Sequence, residues 1–270
     1  MARWLGIDFS GDHRMWRPGR AKSNVWIAEL SDDGGDPVVT GVSRVQELEG
    51  RNDPFDRLCR LLGLGDYEVA GIDAPFSVPW HRVPNGDHEV LLQQAKGWDA
   101  EGRAFPRGTT LVKQLAPEAA PLGVKEYRET ESGWGVNVRS TVWAGARGGA
   151  PMTAACLALL GAAHRPIWPW PSATGTGLLA EAFPAAQLRA WDLPYQRYNE
   201  TDAIDSRRSI LVGLANRCHW SPTIGALMLG SADALDAVVC CLGAWAVSTG
   251  AVSRQPKSVA LVEGWIAVHS

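Results

Sequence analysis

The sequence predicts an α/β fold in which one mixed β-sheet carries helices on both faces. Three apolar stretches near the N-terminus are separated by turn residues, which is typical of antiparallel strands. A helical segment then leads to a fourth apolar run, which we expect to pair in parallel with the first. Helical segments alternate with one more strand further along the chain. This order of elements is typical of a mixed sheet covered on both sides.

Five segments have the pattern of strands. The first ends at Ser10-Gly11-Asp12, and a Ser-Asp-Asp-Gly-Gly sequence at 31–35 separates the second from the third. The fourth ends before Pro75, which has no N–H to continue a ladder. The predicted strands are 3–9, 23–30, 37–45, 67–73 and 178–183.

Apolar residues at helical spacing predict the helices. Asn52 or Asp53 can cap the first helix, and Gly63 can end it. The most apolar helix lies near the C-terminus and carries two acids, Asp233 and Asp236. The predicted helices are 54–62, 86–100, 151–163, 184–191, 202–217 and 231–247.

The whole chain, 1–270, is predicted to form a single domain, with an insertion or lid at about 76–165 where the pattern loosens into Pro- and Gly-containing loops. No window has the unbroken apolar run that a membrane span needs, so we expect a cytoplasmic protein without membrane association. The apolar face of the last long helix leaves room for a homodimer.

Charge and cysteine content exclude some functions. The net charge of −3 gives no broad attraction to nucleic acid, although 21 of the 26 basic residues are arginines, which favour bidentate phosphate contacts. The five cysteines include no Cys-x-x-Cys pair, and the histidines do not fall at ligand spacing from them. We expect reduced core cysteines and no structural zinc.

Acidic side chains follow three of the predicted strands. Asp8, Asp73 and Glu181 each end an apolar run, and Asp233 and Asp236 share one face of their helix. Carboxylates gathered at one sheet edge repel each other unless protons or cations accompany them. Oxygen ligands suit Mg²⁺ or Mn²⁺, so the sequence predicts a divalent-metal site, with turn and helix capping as the alternative role of these acids.

Basic residues near the first acid could hold a substrate phosphate. Arg14 and Lys22 follow Asp8 closely, and a solvated loop is the alternative explanation of this cluster. His81 and His88 flank a Pro-Asn-Gly loop and could serve as a proton shuttle near Asp73, but ordinary loop histidines have the same pattern.

Several motifs resemble one family, the uncharacterised DUF429 proteins, which are predicted to be ribonuclease H-like nucleases. The resemblance covers nearly the whole chain in order. The matching motifs are Gly6-Ile7-Asp8-Phe9-Ser10-Gly11, Gly71-Ile72-Asp73-Ala74-Pro75-Phe76, Glu181-Ala182-Phe183-Pro184-Ala185-Ala186, Asp233-Ala234-Leu235-Asp236-Ala237 and Glu263-Gly264-Trp265-Ile266.

The resemblance implies a ribonuclease H-like sheet with strand order 3-2-1-4-5. It also implies metal ligands and catalytic groups drawn from the acids already named, which are Asp8, Asp73, Glu181 and Asp236, with Asp233 as a further ligand. The element around Arg128 resembles an Arg-x-Thr-acid element of the family, with Glu131 in place of the usual Asp, which makes Arg128 a candidate for substrate binding.

These observations together favour a metal-dependent phosphodiester hydrolase, a nuclease, acting on a nucleic acid or a nucleotide. An actin-like or sugar-kinase-type ATP-dependent phosphotransferase is the second candidate. It is disfavoured because Ala74-Pro75 follows Asp73 in place of a Gly-rich phosphate loop, and because the chain is too short for a duplicated domain. The third candidate is a non-catalytic binding protein that retains the fold.

Overall fold

The computed structural model describes residues 2–21, 23–32, 34–118, 125–170 and 173–270. The predicted strands are present, each shifted by a few residues at most. They are β1 (Ala2–Asp8), β2 (Trp26–Asp32), β3 (Val38–Arg44), β4 (Val69–Asp73) and β5 (Leu178–Ala182). Two further strands, β6 (His219–Trp220) and β7 (Ile266–Ala267), have only two residues each. A strand of two residues has no alternation that a sequence pattern could reveal.

The strands form one mixed sheet in the order β6-β3-β2-β1-β4-β5-β7. The central five have the predicted ribonuclease H-like order 3-2-1-4-5, with β1, β2 and β3 antiparallel and with β4 and β5 parallel to β1. The prediction of five strands was wrong in number, because β6 and β7 extend the sheet by one strand at each edge.

The helices alternate with the later strands, as predicted. In the described part of the chain they are α1 (Pro54–Leu64), α2 (His88–Lys96), α3 (Gly108–Leu115), α4 (Glu129–Ser132), α5 (Ala150–Ala163), α6 (Pro184–Ala190), α7 (Ile204–Leu214), α8 (Pro222–Gly230), α9 (Ala232–Thr249) and α10 (Ala260–Glu263). Four of these, α2 to α5, lie between β4 and β5, in the segment predicted as an insertion.

Both faces of the sheet are buried. One apolar core joins the sheet to α9 and to side chains of α6, α7 and α8, and a second core joins the opposite face to α1 and α5. Helix α9 is long and apolar enough to cross a membrane by length and composition alone, but 67% of that window is buried inside the protein. The apolar face of α9 is therefore used in the core of the protein.

Two glycines allow α9 to lie directly on the sheet. A Cβ atom added to Gly6 of β1 would lie 2.0 Å from the carbonyl oxygen of Ala237. At Gly71 of β4 it would lie 2.3 Å from the carbonyl oxygen of Cys240. Real Cβ atoms do not approach backbone this closely, so any larger residue must push α9 away from β1 and β4.

We expect Gly71→Ala to destabilise the fold by about 1 to 3 kcal/mol, because α9 must move to accept the methyl group. Gly230→Ala is the matched control, since nothing lies within 4 Å of a Cβ added at that position. Its effect should stay within about 0.5 kcal/mol. Urea unfolding of the two variants measures the difference, and equal midpoints would contradict the close contact.

Candidate active site

Asp8 and Asp73 stand side by side at the carboxyl ends of β1 and β4. They are direct partners in the parallel register, and neighbouring strands are about 4.8 Å apart. Side chains alternate between the two faces of a strand, so each aspartate points to the same face as the glycine two residues before it. Both carboxyl groups therefore leave the sheet on the face that α9 covers.

The N-terminal part of α9 brings two more acids to this place. Ser231 caps the helix by accepting a hydrogen bond from the N–H of Ala234, and Asp233 lies in the first turn. Asp236 lies one turn further along and accepts a hydrogen bond of 2.8 Å from the Tyr198 hydroxyl. Tyr198 belongs to the segment that precedes α7. This segment therefore helps to position the carboxyl group of Asp236.

The carboxyl groups raise one another's pKa values. Burial raises the pKa of Asp8 well above its usual value, and the charges of Asp236, Asp73 and Asp233 raise it further. Burial and the charge of Glu181 raise the pKa of Asp73 to about 7, against the opposing effect of Arg139. Such shifts mean that too few cationic groups lie near these carboxylates to offset their burial and repulsion.

Glu181 approaches from the other face of the sheet. Its register partner in β4 is Ile72, one residue before Asp73, so its side chain leaves the sheet on the face of α1 and α5. The carboxylate accepts hydrogen bonds from Nη1 of Arg128 at 2.7 Å and from the N–H of Phe76 at 3.0 Å. Glu181 thus reaches the same end of the sheet with its charge already paired.

Arg128 is the centre of a buried ion network. Its side chain is 1% exposed and donates to Glu181 through both terminal nitrogens, to Glu131 at 2.8 Å and to the carbonyl oxygen of Glu263 at 3.0 Å. The sequence predicted that Arg128 binds substrate. In the structure its guanidinium contacts protein oxygens, so it acts on the site by holding Glu181.

A second buried acid belongs to the same region. The carboxylate of Glu263 is fully buried and accepts hydrogen bonds from the N–H groups of Trp80 at 2.9 Å and Thr130 at 3.1 Å. These contacts join the end of α10 to the loop after β4 and to α4. Arg128 and Glu263 therefore fasten the segment between β4 and β5 to the rest of the fold.

A cavity of about 410 Å³ opens above the acids. Asp8, Asp73, Glu181 and Asp233 line it, whereas Asp236 of α9 is not part of the lining. Four other polar residues of the lining, from three segments of the chain, were not predicted from the sequence: Asn24, Asn137, Arg139 and Asn199. Their spacing along the chain carries no motif, so only the fold brings them together.

Three other residues singled out from the sequence, Arg14, His81 and His88, are not part of the cavity lining. Arg14 is exposed and pairs with Asp12 at 2.7 Å. Lys22 lies outside the described residues. His81 pairs with Glu126, while His88 is buried, stacks on Trp170 and donates to the carbonyl oxygen of Phe76.

The donors around Asp8 and Asp73 suit Mg²⁺ or Mn²⁺ in chemistry. Among the described residues, no three acidic, histidine or cysteine side chains meet closely enough to hold one ion together. Mg²⁺, however, is commonly bound through one or two carboxylates, with water and substrate phosphate completing its shell. Asn24 also belongs to the lining, and its side-chain oxygen Oδ1 is a buried acceptor without a partner in the described structure. The residues therefore fit a cation that keeps several waters.

Comparison with models of protein families shows to which family the chain belongs. The model of DUF429, described as "Protein of unknown function (DUF429)", matches residues 12–260. The chain belongs to this family. The match includes Asp73, Glu181, Asp233 and Asp236, and it begins four residues after Asp8. No curated protein and no solved structure matches the chain.

The raised pKa of Asp73 makes the stability of this DUF429 protein depend on pH. The Asp73 carboxyl loses its proton near pH 4 in the unfolded chain but at about pH 7 in the folded protein. The free energy of unfolding therefore falls as pH rises between these two values. Without added metal, we expect Asp73→Asn to raise the melting temperature by several degrees at pH 8, with the gain vanishing near pH 4.

The control for this experiment is Asp192→Asn, at an exposed position with a backbone conformation that asparagine tolerates. It should melt like the unchanged protein at both pH values. An Asp73→Asn variant that is less stable at pH 8 would show that the carboxylate is not destabilising there.

Removal of Arg128 should be far more costly than removal of a surface arginine. Arg128→Met leaves Glu181 and Glu131 buried without their cation, and we expect a loss of about 3 to 5 kcal/mol at pH 7. The loss should shrink toward pH 4, because burial raises the pKa of Glu181 and its protonation removes its unpaired charge. Arg208→Met, in an exposed pair with Asp205, should change stability by less than about 1 kcal/mol. Urea unfolding at both pH values checks this, and equal losses in the two variants would count against the network.

Proposed function

We propose that this DUF429 protein is a divalent-metal-dependent phosphodiester hydrolase that uses Mg²⁺ or Mn²⁺ in the cytoplasm. The observation that carries the proposal is the in-register pair Asp8 and Asp73, which lies beneath the acidic first turns of α9 and beside a cavity. The charges of Asp236, Asp73 and Asp233 all raise the pKa of Asp8, so this place favours positive charge.

Asp8 and Asp73 are the residues that would hold the cation, with Asp233 and Asp236 adding negative charge behind them. When bound, such an ion lowers the pKa of a coordinated water and offsets the charge that develops on phosphate oxygens. The fixed Tyr198 hydroxyl keeps Asp236 directed toward this place.

Arg139 is the cationic side chain that the described structure places at the cavity. It lies close enough to Asp73 to lower its pKa, and it is exposed at the rim. In the proposed reaction its guanidinium binds a non-bridging phosphate oxygen, which orients the ester over the acids. Arg128 keeps Glu181 in place.

Metal binding and cleavage test the proposal together. We expect the purified chain to bind Mn²⁺ in a calorimetric titration and to cleave a phosphodiester only when Mn²⁺ or Mg²⁺ is present. Asp8→Asn should weaken Mn²⁺ binding by at least about tenfold and reduce cleavage to the background rate.

The exposed substitution Asp192→Asn serves again as the control and should leave both properties unchanged. A protein that binds no Mn²⁺, or an Asp8→Asn variant that binds and cleaves like the unchanged chain, would overturn the proposal. Melting curves of each variant show whether a loss of activity reflects loss of the fold.

A further inference from the structure

The walls of the cavity limit what can reach the acids. Asp8 and Asp73 form its base at the strand ends, while Arg139, Gly149 and Met152 come from the segment between β4 and β5. Half of the lining residues belong to that segment, which lies at the carboxyl ends of the strands. A volume of about 410 Å³ falls within the range of small-molecule sites, about 300 to 1,000 Å³.

The polar lining suits a small molecule with several hydrogen-bonding groups. Asn24, Asn137 and Asn199 come from the segment before β2, from the inserted segment and from the segment before α7. An amide side chain both donates and accepts, as the edges of nucleobases and the hydroxyls of ribose do. Three amides on different sides of one cavity can therefore contact different parts of one ligand.

Apolar residues complete the lining beside these amides. Phe183 follows β5 and is half-buried at the cavity, where one face of its ring can receive a base. Met152 in the first turn of α5 adds a flexible apolar contact. The amides can contact the base edges and the ribose hydroxyls, and the ring of Phe183 can stack on the base. The acids can hold a cation that binds the phosphate. The lining therefore has groups for the base, the sugar and the phosphate of a nucleotide.

The positive charge that a nucleic-acid polymer needs is scarce around the cavity. Proteins that bind duplexes neutralise many backbone phosphates with Lys and Arg. Among the described residues of the lining, Arg139 is the only cation, and Arg14 on the turn after β1 is paired with Asp12. The whole chain carries a net charge of −3.

We propose that the site takes a phosphodiester of nucleotide size, namely a nucleoside phosphate esterified to a small alcohol or phenol, and not the interior of a polymer. This inference rests on the proposed hydrolytic function. A water oxygen forms the new bond to phosphorus, and the bond from phosphorus to the leaving oxygen breaks. The leaving oxygen takes up a proton from the water, so the products are a nucleoside monophosphate and the free alcohol or phenol.

Four substrates in the presence of Mn²⁺ test the inference on the full chain. They are the p-nitrophenyl ester of thymidine 5′-phosphate, bis(p-nitrophenyl) phosphate, a closed circle of duplex DNA and a closed circle of single-stranded DNA. We expect the nucleotide ester to be hydrolysed with a kcat/KM at least about tenfold above that of bis(p-nitrophenyl) phosphate, and both circles to stay intact.

The outcomes separate this inference from the proposed function. Cutting of either circle at a rate similar to that of the ester would overturn the size limit and leave hydrolysis standing. Equal kcat/KM for the two small esters would overturn recognition of the nucleoside and also leave hydrolysis standing. Failure to cleave any of the four would overturn both.

A variant of the rim checks that the cavity itself makes the distinction. Asn199→Ala should raise KM for the nucleotide ester about fivefold with little change in kcat, while KM for bis(p-nitrophenyl) phosphate stays the same. Asn216→Ala, at an exposed position outside the cavity, is the matched control and should change neither. An Asn199→Ala variant that behaves like the control would show that the nucleoside does not sit at this rim.

Discussion

The close contact between α9 and the two central parallel strands is the constraint on which the fold and the site both depend. Gly6 and Gly71 permit it, because any side chain there would meet the backbone of the helix. Each glycine stands two residues before an aspartate, on the same face of its strand. The contact that packs the core therefore also places Asp8 and Asp73 beneath the acidic first turns of α9.

Charge is distributed very differently on the two faces of the sheet. On the α9 face burial raises the pKa values of Asp8, Asp73 and Asp236, and the charges of neighbouring carboxylates, including that of Glu181 on Asp73, raise them further. On the opposite face Glu181 is paired with Arg128, which offsets much of its cost of burial. A fold tolerates unpaired buried carboxylates only where other interactions compensate, and such places are commonly functional. The α9 face therefore carries more uncompensated negative charge than the face of Glu181.

The sequence allowed the central strands, the long helices and the acids at the strand ends to be predicted, because alternation, helical spacing and turn residues are local signals. It did not reveal on which face of the sheet Glu181 lies. That face depends on the register between β4 and β5, in which Glu181 pairs with Ile72 and not with Asp73, and this register joins segments that are distant in the sequence. The partners of Arg128 and the donor Tyr198 were missed for the same reason. Strands β6 and β7 are too short to have a pattern of their own.

Buried hydrogen bonds fasten part of the inserted segment to β5 and to α10. Arg128, next to α4, is bound to Glu181 of β5, while the N–H of Thr130 is bound to the carboxylate of Glu263. Swinging this part of the segment away would break these buried hydrogen bonds and leave charged groups without partners, at a cost of several kcal/mol. The ion network therefore holds part of the inserted segment beside the cavity, which Glu181 itself lines. The size of the site is in this way tied to the stability of the core.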